Sequence, residues 1–325
     1  MEPVAAKFMK RLVYPAFGDA GLLVLTDAPV PEPAPDQVCV RVAAAGLNPI
    51  DWKTRRGLGL VASKIGSQLP WTPGYDMAGE VVAIGEQVTT LAPGDRVLGM
   101  VGFPMEGGAC AEFVTAPAAD LAIVPEELGL IEAAGLPLAA LTAWQALFEM
   151  ADLQTGQKLL VHAGAGGVGH LAVQFALVRG VHVIATASAE NRDFLAGFGV
   201  HEVIDYHKVD FVDECYGLDA VLDLVGGETG KRSLHTLSEH GVLVTIPTMT
   251  ADEVVTEAER QGLRAHGMTV RPDVDQLEEI LELIEDGDVR VHVDEVFPAS
   301  RAADAHRLLE AGHVRGKLVL DFQSL

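Results

Sequence analysis

Three glycines at positions 164, 166 and 169 follow an apolar run, Lys158 to Ala163, and precede a segment with helical periodicity. The spacing G-x-G-x-x-G at a turn from a buried strand into a helix is typical of a site for the pyrophosphate of a dinucleotide. Gly164 would permit the tight turn, Gly166 would let the backbone approach a phosphate, and Gly169 would let the helix lie close to the sheet. The alternative is a glycine-rich turn that binds no ligand.

Five further apolar runs follow at the spacing expected of alternating strands and helices. They are Val181 to Thr186, Glu202 to Asp205, Ala220 to Val225, Gly241 to Pro247 and Leu263 to Val270. With the strand before the glycines they predict a doubly wound parallel sheet of about six strands, the Rossmann arrangement. This alternation favours dinucleotide binding over the ligand-free alternative.

The residues before Pro125 show a different pattern, in which short strands such as VCVRVAA and MAGEVVAIG are separated by Pro/Gly clusters. This pattern predicts a compact all-β unit. After an amphipathic helix with Asp273 as its N-cap, VRVHVDEVF and KLVLDF again have strand patterns. We therefore expect the tail to return to the first domain. The predicted domains are residues 1–125 with 272–325, and an inserted nucleotide-binding domain at 126–271.

The charge balance argues against some partners, because 46 acidic and 23 basic side chains give a net charge of −23 that repels nucleic acids and anionic lipids. No apolar run approaches the roughly 18 residues of a membrane span, and the N-terminal segment MEPVAAKFMK lacks a secretory apolar region. Cys39, Cys110 and Cys215 form no C-x-x-C pair and no even disulfide set. We expect a soluble cytoplasmic protein with no nucleic-acid or membrane partner, and buried thiols at positions 39 and 215.

Several motifs along the chain together resemble a known family. They include AAGLNPIDWK at 44–53, PGYDMAGEVVAIG at 73–85, HAGAGGVG at 162–169, LDLVGG at 222–227 and RGKLVL at 315–320. In this order they resemble the zinc-independent medium-chain dehydrogenase/reductases of the quinone oxidoreductase, or zeta-crystallin-like, group. The resemblance implies an α/β fold in which a Rossmann domain is inserted into a GroES-like β-domain. It also implies a homodimer joined through the Rossmann sheets.

The same resemblance bears on metal binding. Zinc-dependent members of the superfamily hold their catalytic metal with a Cys near the position of Asn48 and a His in a G-H-E motif. Here that motif is Gly74-Tyr75-Asp76, and no cysteine-rich lobe is present for a structural zinc. Asp76 alone cannot build a three-ligand site, so we expect no metal.

The end of the second strand bears on the choice of cofactor, because NAD enzymes usually place an acidic residue there. This chain has Ser188, which leaves room for a 2′-phosphate, and Arg192 one helical turn later, which could pair with it. In the family, Tyr206 and a cation at the position of Arg192 line this pocket. The alternative makes Glu190 the residue that selects NAD and Arg192 a solvated helix charge. We predict NADPH.

Further cofactor contacts are expected in the glycine turn, on a helix and at two strand ends. They are Gly167, Val168, Thr142, Val225, Gly226 and Lys317. The resemblance implies that Thr142 contacts the cofactor near its nicotinamide end, but it could instead bond the preceding helical turn. Lys317 could approach the phosphates, and an equal alternative is a solvated lysine at a strand edge.

Asn48 is one of two asparagines in the chain, the other being Asn191, and it lies in the family's active-site loop, NPID at 48–51. Its amide could donate a hydrogen bond to a carbonyl oxygen near the nicotinamide. Alternatively it could be a turn residue that caps its own backbone. We expect Asp51 to be structural, as the N-cap of WKTRRG, and His162 to be a buried core histidine.

Together these features predict an NADPH-dependent, metal-free reductase that passes hydride to the electron-poor carbon of a quinone or an α,β-unsaturated carbonyl. Residues 58–71, LGLVASKIGSQLPW, are expected to form a loop over the entrance, and their apolar side chains favour small apolar acceptors. Two alternatives remain open: a pathway-specific enoyl reductase that uses the same site, and a non-catalytic NADPH-binding protein.

Overall fold

The computed structural model describes residues 7–66 and 68–325. Its strands are β1 Phe8–Val13, β2 Val24–Pro29, β3 Gln37–Leu47, β4 Asp76–Ile84, β5 Arg96–Met100, β6 Phe113–Pro117, β7 Leu121–Ile123, β8 Lys158–Val161, β9 His182–Ala187, β10 Glu202–Asp205, β11 Leu218–Asp223, β12 Leu237–Thr245, β13 Arg264–Gly267, β14 Val293–Pro298 and β15 Lys317–Asp321. Its α-helices are α1 Pro49–Arg55, α2 Gly59–Ile65, α3 Leu130–Ala134, α4 Pro137–Trp144, α5 Gly169–Val178, α6 Arg192–Ala196, α7 Phe211–Glu214, α8 Gly227–Ser233, α9 Ala251–Gln261, α10 Val274–Glu285 and α11 Ala302–Ala311.

The described chain divides into two compact units. The first contains the residues up to Leu141, Arg271–Gly287 and Val291–Leu325, and the second contains Thr142–Val270 and Asp288–Arg290. The first boundary therefore lies later than the predicted residue 126. The physical reason is that α3 packs on the strands of the first unit, so closely that a Cβ at Gly46 would lie 2.2 Å from the carbonyl oxygen of Ala134.

The first unit is built on a seven-stranded sheet with the order β14-β15-β3-β4-β5-β7, in which β6 also pairs with β3. The β14 and β15 strands are parallel, and the other pairs are antiparallel. Apolar side chains of these strands, together with others from α2, α11 and the adjoining loops, form its hydrophobic core. The two C-terminal strands join the sheet next to β3, so the tail returns to the first domain as expected.

The second unit is a six-stranded sheet with the order β10-β9-β8-β11-β12-β13, and every pair in it is parallel. The sheet is doubly wound, as predicted. From its centre, β8, β9 and β10 follow one another towards one edge, and β11, β12 and β13 follow one another towards the other, so the winding changes side between β8 and β11. In such sheets, ligands bind at the carboxyl ends of the strands next to this change of side. The strand bounds differ from prediction most at β12, which begins at Leu237 because it pairs with Leu218 before a register shift.

The segment 58–71 contains a helix over half of its length, where a loop was predicted, and its position over an entrance remains a prediction. Helix α2 occupies Gly59–Ile65, and Ser67 lies outside the described residues. The side chains of Val61 and Ile65, on one face of this helix, are buried, whereas those of Leu58 and Leu60 are exposed. The helix forms because its apolar residues recur at the i and i+4 spacing that one buried helical face requires.

All three cysteines are free and buried, as expected for the thiols at positions 39 and 215. Among the residues that the structure describes, no helix has the length and apolar character that a membrane crossing requires. Residues 1–6 of the N-terminal segment considered above lie outside the described part of the chain.

Candidate active site and cofactor-binding turn

The glycine turn lies between β8 and α5, at the carboxyl end of the parallel strands. A Cβ at Gly169 would lie 2.3 Å from the carbonyl oxygen of Ala163, and a Cβ at Gly164 would lie 2.8 Å from the Cβ of Ala185. The packing around the turn therefore requires both glycines. A Cβ at Gly166 would approach no atom outside its neighbours closer than 3.3 Å. Since the fold itself tolerates a side chain at 166, glycine there is consistent with the close approach of a ligand.

Gly167 and Val168 lie where the turn enters α5. The Gly166 carbonyl accepts the His170 N–H at 3.0 Å, and the Val168 carbonyl accepts the Ala172 N–H at 2.9 Å. The turn and the helix are thus continuous. The N–H groups of a first helical turn have no acceptor within the helix and form its positive end. Gly167 and Val168 therefore lie where an anion would bind.

The residues predicted to choose the cofactor lie at the neighbouring ends of β9 and β10. Ser188 directly follows β9, and its Oγ accepts a hydrogen bond from Asn191 Nδ2 at 3.1 Å. The Arg192 guanidinium is exposed and donates to the carbonyl oxygen of Val203 in β10 at 3.1 Å. Tyr206 directly follows β10 and is half exposed. The structure thus brings the predicted residues to one end of the sheet. Glu190, the residue that would select NAD in the alternative interpretation, is also exposed at this end.

A buried carboxylate that sequence reasoning did not assign holds the loop of Val225 and Gly226. Asp223 Oδ1 accepts the N–H groups of Val225 at 3.0 Å and Gly226 at 2.8 Å, and Oδ2 accepts the Thr245 hydroxyl at 2.8 Å. Gly226 has φ +81°, which favours glycine. Asp223 therefore fixes the backbone of two predicted cofactor contacts. An Asp at a strand end that bonds the backbone two and three residues later is typical of such a turn, and the sequence Asp-Leu-Val-Gly-Gly could have revealed this role.

His162 is the buried core histidine that was predicted. Its Nδ1 lies 3.0 Å from Thr186 Oγ1, and its Nε2 lies 2.8 Å from Ser233 Oγ. Because the Ser233 hydroxyl donates to the Thr229 carbonyl, it accepts from the histidine, and the proton lies on Nε2. Burial lowers the pKa of His162 to about 4, against the opposing attraction of Asp223. The ring is therefore neutral at physiological pH.

Asn48 follows β3 in the first unit, and its side chain is buried and bonded at both ends. Lys317 Nζ donates to Asn48 Oδ1 at 2.5 Å, and Asn48 Nδ2 donates to Asp76 Oδ2 at 2.8 Å. Both partners are distant in sequence. Asn48 is also the N-cap of α1, as the capping alternative expects, and its bonds to Lys317 and Asp76 come in addition to that role.

Asp76 is fully buried and has hydrogen-bond donors on both oxygens. Its Oδ1 accepts the N–H of Leu138, in the first turn of α4, at 2.7 Å, and Lys317 Nζ lies 3.5 Å from Oδ2. Burial raises the pKa of Asp76, and Lys317 and the hydrogen bond from Asn48 oppose that shift. Burial lowers the pKa of Lys317, and Asp76 and Asp51 oppose it. Each group thus favours the charged form of the other.

Asp51 is structural, as expected, but it is the third residue of α1 and not its N-cap. The helix begins at Pro49, whose fixed φ suits a first helical position, so Asn48 is the N-cap. Asp51 Oδ2 accepts the Asn48 N–H at 2.8 Å, and Oδ1 accepts the Gly74 N–H at 3.0 Å. Burial raises the pKa of Asp51 to about 7, with a further contribution from Asp76, against these two bonds.

Lys317 is 2% exposed, so the alternative of a solvated lysine at a strand edge is wrong. Its strand, β15, is internal to the sheet, between β14 and β3. Its contact with cofactor phosphates remains a prediction, and the observed bond to Asn48 gives the ammonium a different role. Thr142 is buried within α4, and its contact with the cofactor also remains a prediction.

Comparisons with known proteins decide the family. Residues 34–126 match the alcohol dehydrogenase GroES-like domain, and residues 198–320 match the family described as zinc-binding dehydrogenase. The quinone oxidoreductase of Coxiella burnetii is 42% identical to this chain with a TM-score of 0.94, covering 97% of this chain and 99% of that one. This chain belongs to the quinone oxidoreductase group of medium-chain dehydrogenase/reductases. The predicted GroES-like and Rossmann architecture is therefore confirmed.

This quinone oxidoreductase family member is also similar to two proteins of the plant Arabidopsis thaliana. The chloroplast envelope quinone oxidoreductase homolog is 34% identical over 98% of this chain and 100% of its own length. The chloroplastic NADPH-dependent alkenal/one oxidoreductase is 35% identical over 97% of this chain and 80% of its own length. The chain is thus an oxidoreductase of a family that uses pyridine nucleotides, and the glycine turn described above fits such a cofactor.

Proposed function

We propose that this chain is an NADPH-dependent reductase of small quinones or α,β-unsaturated carbonyl compounds. The proposal is carried by the buried carboxamide of Asn48, an amide donor bonded to Lys317 and Asp76 in the loop where zinc-dependent relatives hold a metal ligand. Assistance to an acceptor oxygen would then come from a hydrogen bond. The names of two relatives, a quinone oxidoreductase and an NADPH-dependent alkenal/one oxidoreductase, support this class of acceptor.

When bound, the nicotinamide supplies the hydride that the acceptor's electron-poor carbon receives. The residues of the chain position the reactants and stabilise charge. The glycine turn holds the pyrophosphate, Asp223 fixes the loop before α8, and Asn48 donates a hydrogen bond to the oxygen on which negative charge grows. A conjugated acceptor suits such a donor, because its charge is spread onto an oxygen remote from the attacked carbon.

The experiment that tests this function measures NADPH oxidation against a panel of quinones, enones and saturated ketones. We expect turnover with the first two classes and little with the third, because an amide assists a saturated carbonyl far less than a metal ion would. Cofactor binding without consumption across the whole panel would contradict the proposal and favour a non-catalytic NADPH-binding protein.

We expect NADPH to be preferred over NADH by about tenfold or more in kcat/KM, equivalent to about 1.4 kcal/mol, because Ser188 and Arg192 favour a 2′-phosphate. Arg192→Ala should remove most of this preference while leaving the kcat/KM for NADH nearly unchanged. Steady-state kinetics with both cofactors measure the effect. Equal use of both cofactors by the unmodified protein would contradict the assignment and make Glu190 the better guide.

We expect the purified protein to contain far less than one zinc per chain and to keep its activity in a chelator. One matched family is described as zinc-binding, but the positions of two zinc ligands hold Asn48 and Tyr75 here. Within the described ranges, no three His, Cys, Asp or Glu side chains lie where they could share a metal ion. Metal analysis with and without chelator is the test, and stoichiometric zinc with chelator-sensitive turnover would refute the expectation.

The cytoplasmic location and the homodimer expected from the resemblance are also proposals. Light scattering on the purified chain would test the dimer, and fractionation of the source cells would test the location. Neither outcome bears on the acceptor class.

A further inference from the structure

The carboxamide of Asn48 is held between two side chains of opposite charge. Its oxygen faces the Lys317 ammonium at 2.5 Å, and its nitrogen faces the Asp76 carboxylate at 2.8 Å. A flipped carboxamide would place its NH2 group against the ammonium and its oxygen against the carboxylate, and would lose both bonds. Only one of the two amide orientations is therefore satisfied.

The register of the central sheet explains why these two charges meet at Asn48. Strand β3 ends at Leu47 and lies between β15 and β4. Lys317 begins β15, where Leu318 pairs with Leu47, and Asp76 begins β4, where it pairs with Gly46. The first residues of the two flanking strands thus lie on either side of the residue that follows β3.

Stability alone does not account for this arrangement. The side chains of Lys317 and Asp76 are 2% and 0% exposed, and their charged atoms lie 3.5 Å apart. A buried ion pair is often no more stabilising than apolar residues of the same volume, because both charges must lose their hydration. What it supplies here is the orientation of the Asn48 amide. The ammonium can bond only the amide oxygen, and the carboxylate can bond only the amide N–H.

We propose that Lys317 and Asp76 are positioning residues that clamp Asn48, so that its second amide N–H is held for the acceptor's oxygen. This proposal rests on the proposed reductase function. An amide nitrogen carries two N–H donors, and Asp76 takes one of them. The bond from the ammonium to Oδ1 also polarises the amide and strengthens the remaining N–H as a donor. We call Lys317 and Asp76 the Asn48 clamp.

The test compares Lys317→Met, Asp76→Asn and the double variant with the unmodified protein. Each single variant leaves one buried charge or amide unmatched and should lose stability, whereas the double variant removes both charges and should recover most of it. We expect kcat with an enone to fall about tenfold or more in all three variants, while KM for the enone and Kd for NADPH change by less than about threefold. A double variant that recovered kcat together with stability would overturn the proposal.

Two further results would also overturn it. If Lys317→Met weakened NADPH binding in a salt-dependent way while kcat held, Lys317 would be a phosphate ligand. A second readout needs no turnover. The chain contains two asparagines, so selective ¹⁵N-amide labelling gives two side-chain NH2 groups in the unmodified protein and in Lys317→Met.

In this NMR experiment the Asn48 NH2 group should rotate and exchange slowly in the unmodified protein and faster in Lys317→Met, the clamp variant that adds no third asparagine. Asn191, whose Nδ2 donates to Ser188 Oγ in the second unit, should keep its signals in both proteins. Asn48 signals that do not respond to this variant would contradict the clamp. No turnover by the unmodified protein, with Asn48 signals that do respond, would contradict the reductase function and leave the clamp standing.

Discussion

Replacing Asn48 with alanine should lower kcat for enone reduction by about 10–100-fold while raising KM for the enone much less. The reason is that the amide N–H would bond the acceptor's oxygen most strongly when that oxygen carries negative charge, in the transition state. Steady-state kinetics with NADPH and a small enone measure the effect. The Kd for NADPH and the melting temperature, measured on the same preparation, show whether the cofactor site and the fold remain intact.

Unaltered turnover in this variant would return Asn48 to the role of a turn residue that precedes Pro49. A rise in KM without a fall in kcat would also contradict the proposed role, because it would show binding of the ground state only. Since the variant also removes the acceptor of the Lys317 ammonium, combining it with Lys317→Met is informative. If the two residues act as one unit, the double variant should be little slower than Asn48→Ala alone.

The same chemistry predicts where a label goes. With NADPH deuterated at the transferred position of C4, deuterium should appear at the β-carbon of the enone. The carbonyl carbon should carry none, because the proposed donor stabilises an enolate oxygen remote from the attacked carbon. NMR of the isolated product reads the position directly. Deuterium at the carbonyl carbon would assign the chain to metal-free carbonyl reduction.

Much of the fold follows from patterns that are local in sequence. Parallel strands buried on both faces appear as short apolar runs, and the glycine turn sets the position of the first of them. For that reason the six strands of the second unit and their parallel, doubly wound arrangement could be expected. The bounds were less accurate, as at β12, because a strand's ends depend on its partner's register and not on its own composition.

The candidate site could be predicted only in part, because its key contacts join residues far apart in the chain. Lys317 follows a glycine at the start of a strand, and nothing nearby in sequence indicates burial. Its bond to Asn48 crosses 269 positions. The sequence indicates Asp76 only as a possible metal ligand, whereas in the structure its carboxylate is hydrogen-bonded to an amide and a helix N-terminus and is ion-paired with an ammonium. Such roles depend on which strands are neighbours in the sheet, which the local pattern does not contain.

Gly166→Ala should weaken NADPH binding by about 10–100-fold, equivalent to about 1.4–2.8 kcal/mol, while changing the free energy of unfolding by less than about 1 kcal/mol. A Cβ at this position has 3.3 Å to its nearest neighbour, the Ala163 carbonyl oxygen, so the fold can accept it with a small adjustment. The same methyl group would project where the pyrophosphate must approach the backbone. Fluorescence titration with NADPH and denaturant unfolding measure the two quantities.

Gly169→Ala is the matched control, because it adds the same methyl group three residues later in the same turn. There the new Cβ would lie 2.3 Å from the Ala163 carbonyl oxygen and 2.8 Å from Gly164 Cα, both backbone atoms that cannot move aside without shifting α5 from the sheet. We expect this variant to lose about 2 kcal/mol or more of unfolding free energy. Unchanged NADPH affinity in Gly166→Ala would show that no phosphate approaches the turn at that glycine. A large loss of stability in Gly166→Ala would show instead that all three glycines serve the packing of the helix on the sheet.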